Sequence, residues 1–388
     1  MADGESRRIY FKEHTGLRFF AAYAVVFAHC FPASDGMRLG LMEHIGGTAV
    51  SLFFVLSGFV LAISNRNESG DFTKGPRSYV VARFARIYPQ YILAFLIAAP
   101  STILRIFYEH PAPSAALPRI GIEAISYLSM LQSWVPWTSS AWNGPAWSLS
   151  VEMFFYASFL ILPLPSRRSL WWWFLAGAAI MIIPALCFQA KIGRGVFGDG
   201  PVLAMFWTRW PPFRLGEFML GIGVAQSFRY SIFPQTLRPF GTWIALIALV
   251  SLGLSLMASN PIITLAGMIL IPLALLALAY GNHSVPARLL ASNALQRLGE
   301  ASYGLYLLHR PLQPVYLFLT GRNPLANFST PLDFLIFSGF AVSVSLATHR
   351  FVEIPAAAFI KRKNPGRWIS GTFVSPSIRA QPPAASEV

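Results

Sequence analysis

The stretch GLRFFAAYAVVFAHCF, residues 16–31, decides how this chain is read. It is apolar almost throughout, yet Arg18 stands near its start and His29 near its end, with ten residues between them. At about 100° per residue, the step from one to the other turns through roughly 1100°, about 20° past three full circles. On an α-helix both side chains therefore project from one face, roughly 16 Å apart along the axis. A segment that only had to dissolve in lipid would carry neither group. An ionisable side chain in a span costs at least about 2.5 kcal/mol and ordinarily faces a cavity or a partner.

The rest of the chain is equally apolar. Of 388 residues, 55% are hydrophobic and 12% charged, and the mean hydropathy is +0.52. That charged fraction is about half the roughly 25% usual in soluble proteins. The composition predicts an all-α, polytopic integral membrane protein. Runs long enough to cross a bilayer, roughly 17–25 residues each, fall at 15–32, 45–64, 88–107, 146–164, 170–188, 213–228, 241–258, 261–281, 301–320 and 332–350. Ten spans put both termini on one side. Arg214 and Glu217 interrupt the sixth, and the segment 121–134 reads as a re-entrant or interfacial helix, or as a loop.

No cleavable signal precedes the first span, which therefore reads as retained. With the N-terminus inside, twenty Lys and Arg residues fall in cytoplasmic segments and six in the opposite ones. That bias predicts N-in and C-in, with Arg18 at the cytoplasmic end of its span and His29 toward the outer half. Residues 364–388, with QPPAAS near the end, read as a disordered tail. Residues 1–363 then form a single transmembrane domain without internal repeats.

Composition also excludes some functions. Cys30 and Cys187 both lie inside apolar runs, which argues against a disulfide framework, and two cysteines are too few for a cysteine metal site. No metal is expected. The net charge of +14 comes from cations in short connections between apolar runs. They form no patch interleaved with aromatics, so membrane topology explains them better than nucleic acid does.

Several polar groups inside the spans carry competing readings. Glu152, in GPAWSLSVEMFFYASFLILP (144–163), falls at a depth similar to His29. It is either a neutral carboxyl bonded within the bundle or the partner that orients His29 and supports its protonated form. His29 itself is either a neutral imidazole on a carbonyl or a general base. Arg18 is a snorkelling anchor or part of the same site.

In YVVARFARIYPQYIL (79–93), Arg83 and Arg86 share a face if the segment is helical. They read as ordinary positive-inside charge or as a fork for phosphates, and Pro89 reads as a helix break or entry. Arg214 and Glu217, in PPFRLGEFMLGIG (211–223), read as a buried ion pair. Ser302, Tyr303, Tyr306, His309 and Arg310 cluster in LGEASYGLYLLHRP (298–311), with Tyr306 and His309 on one face. Gly58, in LFFVLSGFV, is expected to allow close helix packing.

Taken together, these stretches resemble acyltransferase family 3, the bacterial membrane enzymes that O-acylate cell-surface polysaccharides and other extracytoplasmic acceptors. The likeness covers about residues 10–360. Arg18 to His29 matches the family's R-x10-H, Arg83 to Arg86 its RxxR, and WSLSVEMFFY its Trp-Ser-Leu-x-x-Glu-x-x-x-Tyr. FRLGEFMLG, SYGLYLLHRP and FVEIP follow in the family's order. Met153 and Arg310 depart from residues common in it.

The resemblance implies a multi-pass enzyme of the bacterial inner membrane that uses acyl-CoA, by default acetyl-CoA, as donor co-substrate. Its acceptor would be a carbohydrate hydroxyl, free or lipid-linked, and its remaining partners membrane lipids. His29 and Glu152 would be catalytic, and Arg18, Arg83 and Arg86 would hold the donor. Trp147, Ser148, Tyr156, Arg214, Glu217, Tyr303 and His309 would contact substrate. Two other readings stay open at this point. One is a transporter or flippase using the buried ionisable groups as a relay; the other is a scaffold that binds lipid-linked glycan without chemistry.

Overall fold

A computed structural model describes residues 10–32, 42–198, 200–257, 269–280 and 284–362. The expected tail at 364–388 and part of the expected eighth span, 261–268, lie outside the described residues. What is described is helical, with a single antiparallel bridge between Arg66 and Phe72. In chain order the helices are α1 (Lys12–Cys30), α2 (Glu43–Asn65), α3 (Pro76–Glu109), α4 (Pro113–Leu128), α5 (Trp147–Ile161), α6 (Leu170–Gln189), α7 (Arg194–Phe197) and α8 (Pro201–Arg209). They continue with α9 (Leu215–Arg229), α10 (Gly241–Met257), α11 (Leu270–Ala279), α12 (Val285–Leu290), α13 (Asn293–Glu300), α14 (Ser302–Leu319), α15 (Pro331–Thr348) and α16 (Ile354–Arg362).

Among the described residues, five stretches are long and apolar enough to cross a membrane. They are His44–Asn65, Pro76–Glu109, Leu170–Gln189, Gln235–Gly253 and Pro331–Arg362. Their surroundings differ. The apolar part of α2 is 67% buried, whereas that of α6 is only 17% buried. A helix so apolar and yet so exposed must meet hydrocarbon, while α2 is wrapped by protein. Trp171 and Trp172 stand exposed at the end of α6 beside Arg167 and Arg168, as aromatic anchors at a membrane edge do.

One expectation is corrected here, and one left open is narrowed. Pro89 neither breaks nor begins a helix: α3 runs unbroken for 34 residues with Pro89 and Pro100 inside it. A proline removes one backbone donor, and in a membrane bundle neighbouring groups compensate for that loss. Of the two readings of 121–134, the helical one holds for residues 121–128, which form the end of α4, a helix opened by Pro113.

Small residues set the inner crossings, as Gly58 foretold. An added Cβ at Gly58 would lie 2.1 Å from the Phe218 carbonyl oxygen, and one at Gly221 would lie 1.9 Å from that of Val55. α2 and α9 therefore touch backbone to backbone at two reciprocal points. Gly16 and Gly299 do the same for α1, against the carbonyls of Leu290 and Thr15. The C-terminal carbonyls of α2 are held by Arg229, whose Nη2 donates to Ala62 O (2.9 Å) and Arg66 O (2.6 Å). Basic side chains suit that helix end. The helix α15 ends in a π-helical turn, His349–Glu353, which leads into α16.

Candidate active site

α1, α2, α3, α5 and α14 enclose a cavity of about 130 Å³. Helical spacing dictates what each contributes. Arg18 comes from α1, Arg83 and Arg86 from one face of α3, and Ser148, Glu152 and Tyr156 from one face of α5. Helix α14 adds Ser302, Tyr303 and Tyr306, and α2 supplies an apolar wall that includes Phe53 and Leu61. Three guanidiniums thus face one lining carboxylate.

The tyrosines are fixed by their hydroxyls. Tyr156 Oη donates to Glu152 Oε1 at 2.5 Å, Tyr303 Oη to Ile87 O at 2.9 Å, and Tyr306 Oη to Pro145 O at 2.8 Å. Ser148 Oγ lies 2.6 Å from Tyr306 Oη. The arginines are held differently. Arg83 Nε is buried with no hydrogen-bond partner. The carboxylates of Glu152 and Glu353 act on Arg18 and Arg86 by charge alone. A cationic pocket with donors to spare is built to receive an anion.

Glu353, to which sequence reasoning gave no role, stands outside the cavity lining but acts by charge on Arg18 and Arg86. It sits in the π-helical turn, where His349 Nδ1 meets its Oε2 at 3.0 Å. The available signal was its place in FVEIP, and a π-turn inside a helix often marks a functional position.

His29 lies apart from the cavity lining, and its partner is not Glu152. Its Nδ1 is 2.9 Å from His309 Nε2, and the two rings lie nearly parallel, with centroids 5.2 Å apart and an interplanar angle of 9°. His309 is fully buried, whereas His29 is exposed. The expected His29–Glu152 pair is corrected accordingly, and the reason is lateral. α1 packs on α2, α13 and α14, while α5 packs on α3, α8 and the turn before α9. The charges acting on His29 come from Arg310 and Arg209, both cationic. The two centres remain joined, because Tyr306 lines the cavity and its ring lies 6.4 Å from that of His309.

A third group stands outside the cavity. Arg214 Nη2 and Glu217 Oε1 form the expected ion pair at 2.6 Å, bridged by Ser51 Oγ at 3.0 and 3.2 Å. Trp147 lies under the guanidiniums of both Arg209 and Arg214, at 5.5 and 5.6 Å. Ser51 stands on α2, so the bridged pair braces α2 against α9, while Glu217 Oε2 is buried without a partner. We expect Glu217→Gln to lower stability by about 2 kcal/mol, in the range for hydrogen bonds to charged groups. Thermal unfolding in detergent measures this, and an unchanged midpoint contradicts it.

An all-helical membrane bundle that holds a cationic cavity beside an accessible imidazole defines a class: a membrane protein equipped to bring an anionic donor to a base. Comparison with known proteins identifies it further. The chain belongs to acyltransferase family 3, whose model, described as an acyltransferase domain, matches residues 12–350. It is a membrane acyltransferase. It is 34% identical over 313 residues to "Acyltransferase MdmB" of Streptomyces mycarofaciens, an alignment covering 76% of this chain and 77% of that one. It is also 37% identical over 115 residues to "Protein 2 in picA locus" of Rhizobium radiobacter, covering 27% of this chain and 60% of that one. No solved structure matches the chain.

Proposed function

We propose that this acyltransferase carries an acyl group, by default acetyl, from cytoplasmic acyl-CoA to a hydroxyl of a cell-surface or lipid-linked carbohydrate. In this reading the chain crosses the bacterial inner membrane ten times, with both termini inside and residues 1–363 as one domain. The observation that carries the proposal is the cavity. Arg18, Arg83 and Arg86 converge there from two helices with only Glu152 among the lining residues to balance them. Guanidiniums suit phosphates by geometry and charge, and coenzyme A presents phosphates.

The donor's phosphates bind at the arginines, and its pantetheine arm carries the thioester past Tyr306 to His29. There His29 Nε2 takes the proton of the acceptor hydroxyl as the oxygen attacks the thioester carbonyl. The carbon–sulfur bond then breaks, and the imidazolium returns its proton to the departing thiolate. Arg209 and Arg310, whose charges act on His29, favour the oxyanion that forms between these two steps. Glu152 has a different role from the one read in the sequence. Held by Tyr156 (2.5 Å), it balances the arginine cluster and sets where the guanidiniums lie.

The test is donor kinetics. Arg86→Ala is expected to raise the KM for acetyl-CoA about 10- to 100-fold, the worth of one charged hydrogen bond, with a smaller change in kcat. An unchanged KM in folded protein removes the arginines from donor binding. A transporter would move its substrate without consuming acetyl-CoA at all.

A further inference from the structure

We infer that His309 is a positioning residue that fixes the tautomer of His29 and so points a lone pair of His29 outward. The inference rests on the proposal that His29 is the base, but it makes a structural claim of its own.

Hydrogen-bond bookkeeping carries it. His309 Nδ1 lies 3.2 Å from the carbonyl oxygen of Leu305, one turn back on α14. A carbonyl oxygen can only accept, so Nδ1 holds the proton. A neutral imidazole carries one ring proton, so Nε2 of His309 holds a lone pair. That Nε2 is 2.9 Å from His29 Nδ1. Two lone pairs cannot face each other at that distance, so His29 Nδ1 carries its proton and donates to His309. His29 Nε2 is then left unprotonated, on the ring that is exposed while its partner has no exposed surface.

A backbone carbonyl, which cannot change its role, thereby sets the proton positions on two successive rings. The two ring planes lie within 9° of each other with centroids 5.2 Å apart, so the nitrogens meet edge to edge, nearly in plane, as a ring N–H donating to a ring lone pair requires, and the helix holds His309. Carboxylates often orient catalytic histidines, and here a second imidazole does so with no charge. The other side chains near the pair fit this reading. Tyr306 stands 6.4 Å from His309, edge to face, with its hydroxyl committed to Pro145 O. Arg310 Nη1 donates to Gln313 Oε1 at 2.8 Å. Neither offers His29 an acceptor in place of His309.

The experiment compares His309→Leu with His309→Gln. The amide oxygen of Gln can accept from His29 Nδ1, whereas Leu cannot. His309→Leu is expected to lower kcat about 10- to 100-fold, in line with the loss of an orienting partner. The KM for acetyl-CoA should stay within about threefold, and His309→Gln should recover most of the loss. Equal damage in both variants, or none in His309→Leu, overturns the inference. ¹⁵N spectra of histidine-labelled wild-type protein in lipid nanodiscs decide the point even if His309→Leu does not fold. The expected proton on His29 is at Nδ1, and a proton at Nε2 overturns the assignment. If His29→Ala keeps full activity, the base proposal fails instead. An inactive His29→Ala beside a fully active His309→Leu rejects only the positioning role.

Discussion

His29→Ala is expected to lower kcat by at least about 100-fold, and by up to about 10⁴-fold, which is the range a positioned general base contributes. The KM for acetyl-CoA should change little, because the imidazole is not among the residues that line the arginine cavity. The variant should fold. His29 is exposed, and its hydrogen bond to His309 is the one side-chain bond it makes among the described residues. Losing it leaves the buried Nε2 of His309 without a partner, at a cost of about 1–3 kcal/mol. A bundle of this size should tolerate that in detergent. The measurement is kcat on variants with matching gel-filtration profiles and unfolding midpoints. Wild-type kcat in folded His29→Ala removes this residue from the chemistry.

The second large effect is structural. Gly221→Val should abolish folded protein or lower its stability by more than about 3 kcal/mol. The first atom of any side chain there would sit 1.9 Å from the Val55 carbonyl oxygen and 2.8 Å from the Phe59 nitrogen. These are backbone atoms of α2, so no rotamer change relieves the contact, and the two helices must separate. Overpacking a core commonly costs about 1–3 kcal/mol, and more where the backbone has to move. Here the separated helices carry Ser51 and Phe53 on one side and Glu217 on the other, so the cavity wall shifts as well. Gly47→Ala is the control. It lies on α2, the helix that Gly221 packs against, with nothing within 4 Å of an added Cβ, and Ala is favoured over Gly by about 0.5–1 kcal/mol inside a helix. Thermal unfolding of the two variants should therefore diverge in opposite directions, and similar midpoints contradict the crossing geometry.

The helical class, the placement of most helices and the R-x10-H segment were legible because hydropathy and a 3.6-residue period express them directly. Arg18 and His29 do lie on one unbroken helix, Arg83 and Arg86 on another, and the Arg214–Glu217 pair forms as spacing suggested. What the sequence did not carry is which helix stands beside which. The sequence put Glu152 and His29 at similar expected depths, but an expected depth says nothing about lateral order. α14 supplies the neighbour of His29, while α5 turns Glu152 to the arginines.

Hydropathy also loses definition where function lies. The five stretches long and apolar enough to span do not include α1, α5, α9 or α14. Those helices carry His29, Glu152, Glu217 and His309. α5 and α9 are each 15 residues long, too short to cross as single straight helices whatever their hydropathy, while in α1 and α14 polar side chains interrupt the apolar run. Sequence reasoning gives Glu353 no role although FVEIP reads as a family signature, because a motif does not show that a π-helical turn sets its carboxylate where its charge acts on Arg18 and Arg86.

The central claim is that acyl-CoA is the donor and that this chain transfers its acyl group. It is tested most directly by following release of CoA thiol from acetyl-CoA by purified protein in proteoliposomes, with and without a glycolipid extract as acceptor. The account predicts sustained release of thiol only when donor and acceptor are both present, with matching label from [¹⁴C]acetyl-CoA in ester linkage to the acceptor. Folded protein that releases no thiol and labels no acceptor, across short and long acyl-CoA donors, would contradict it.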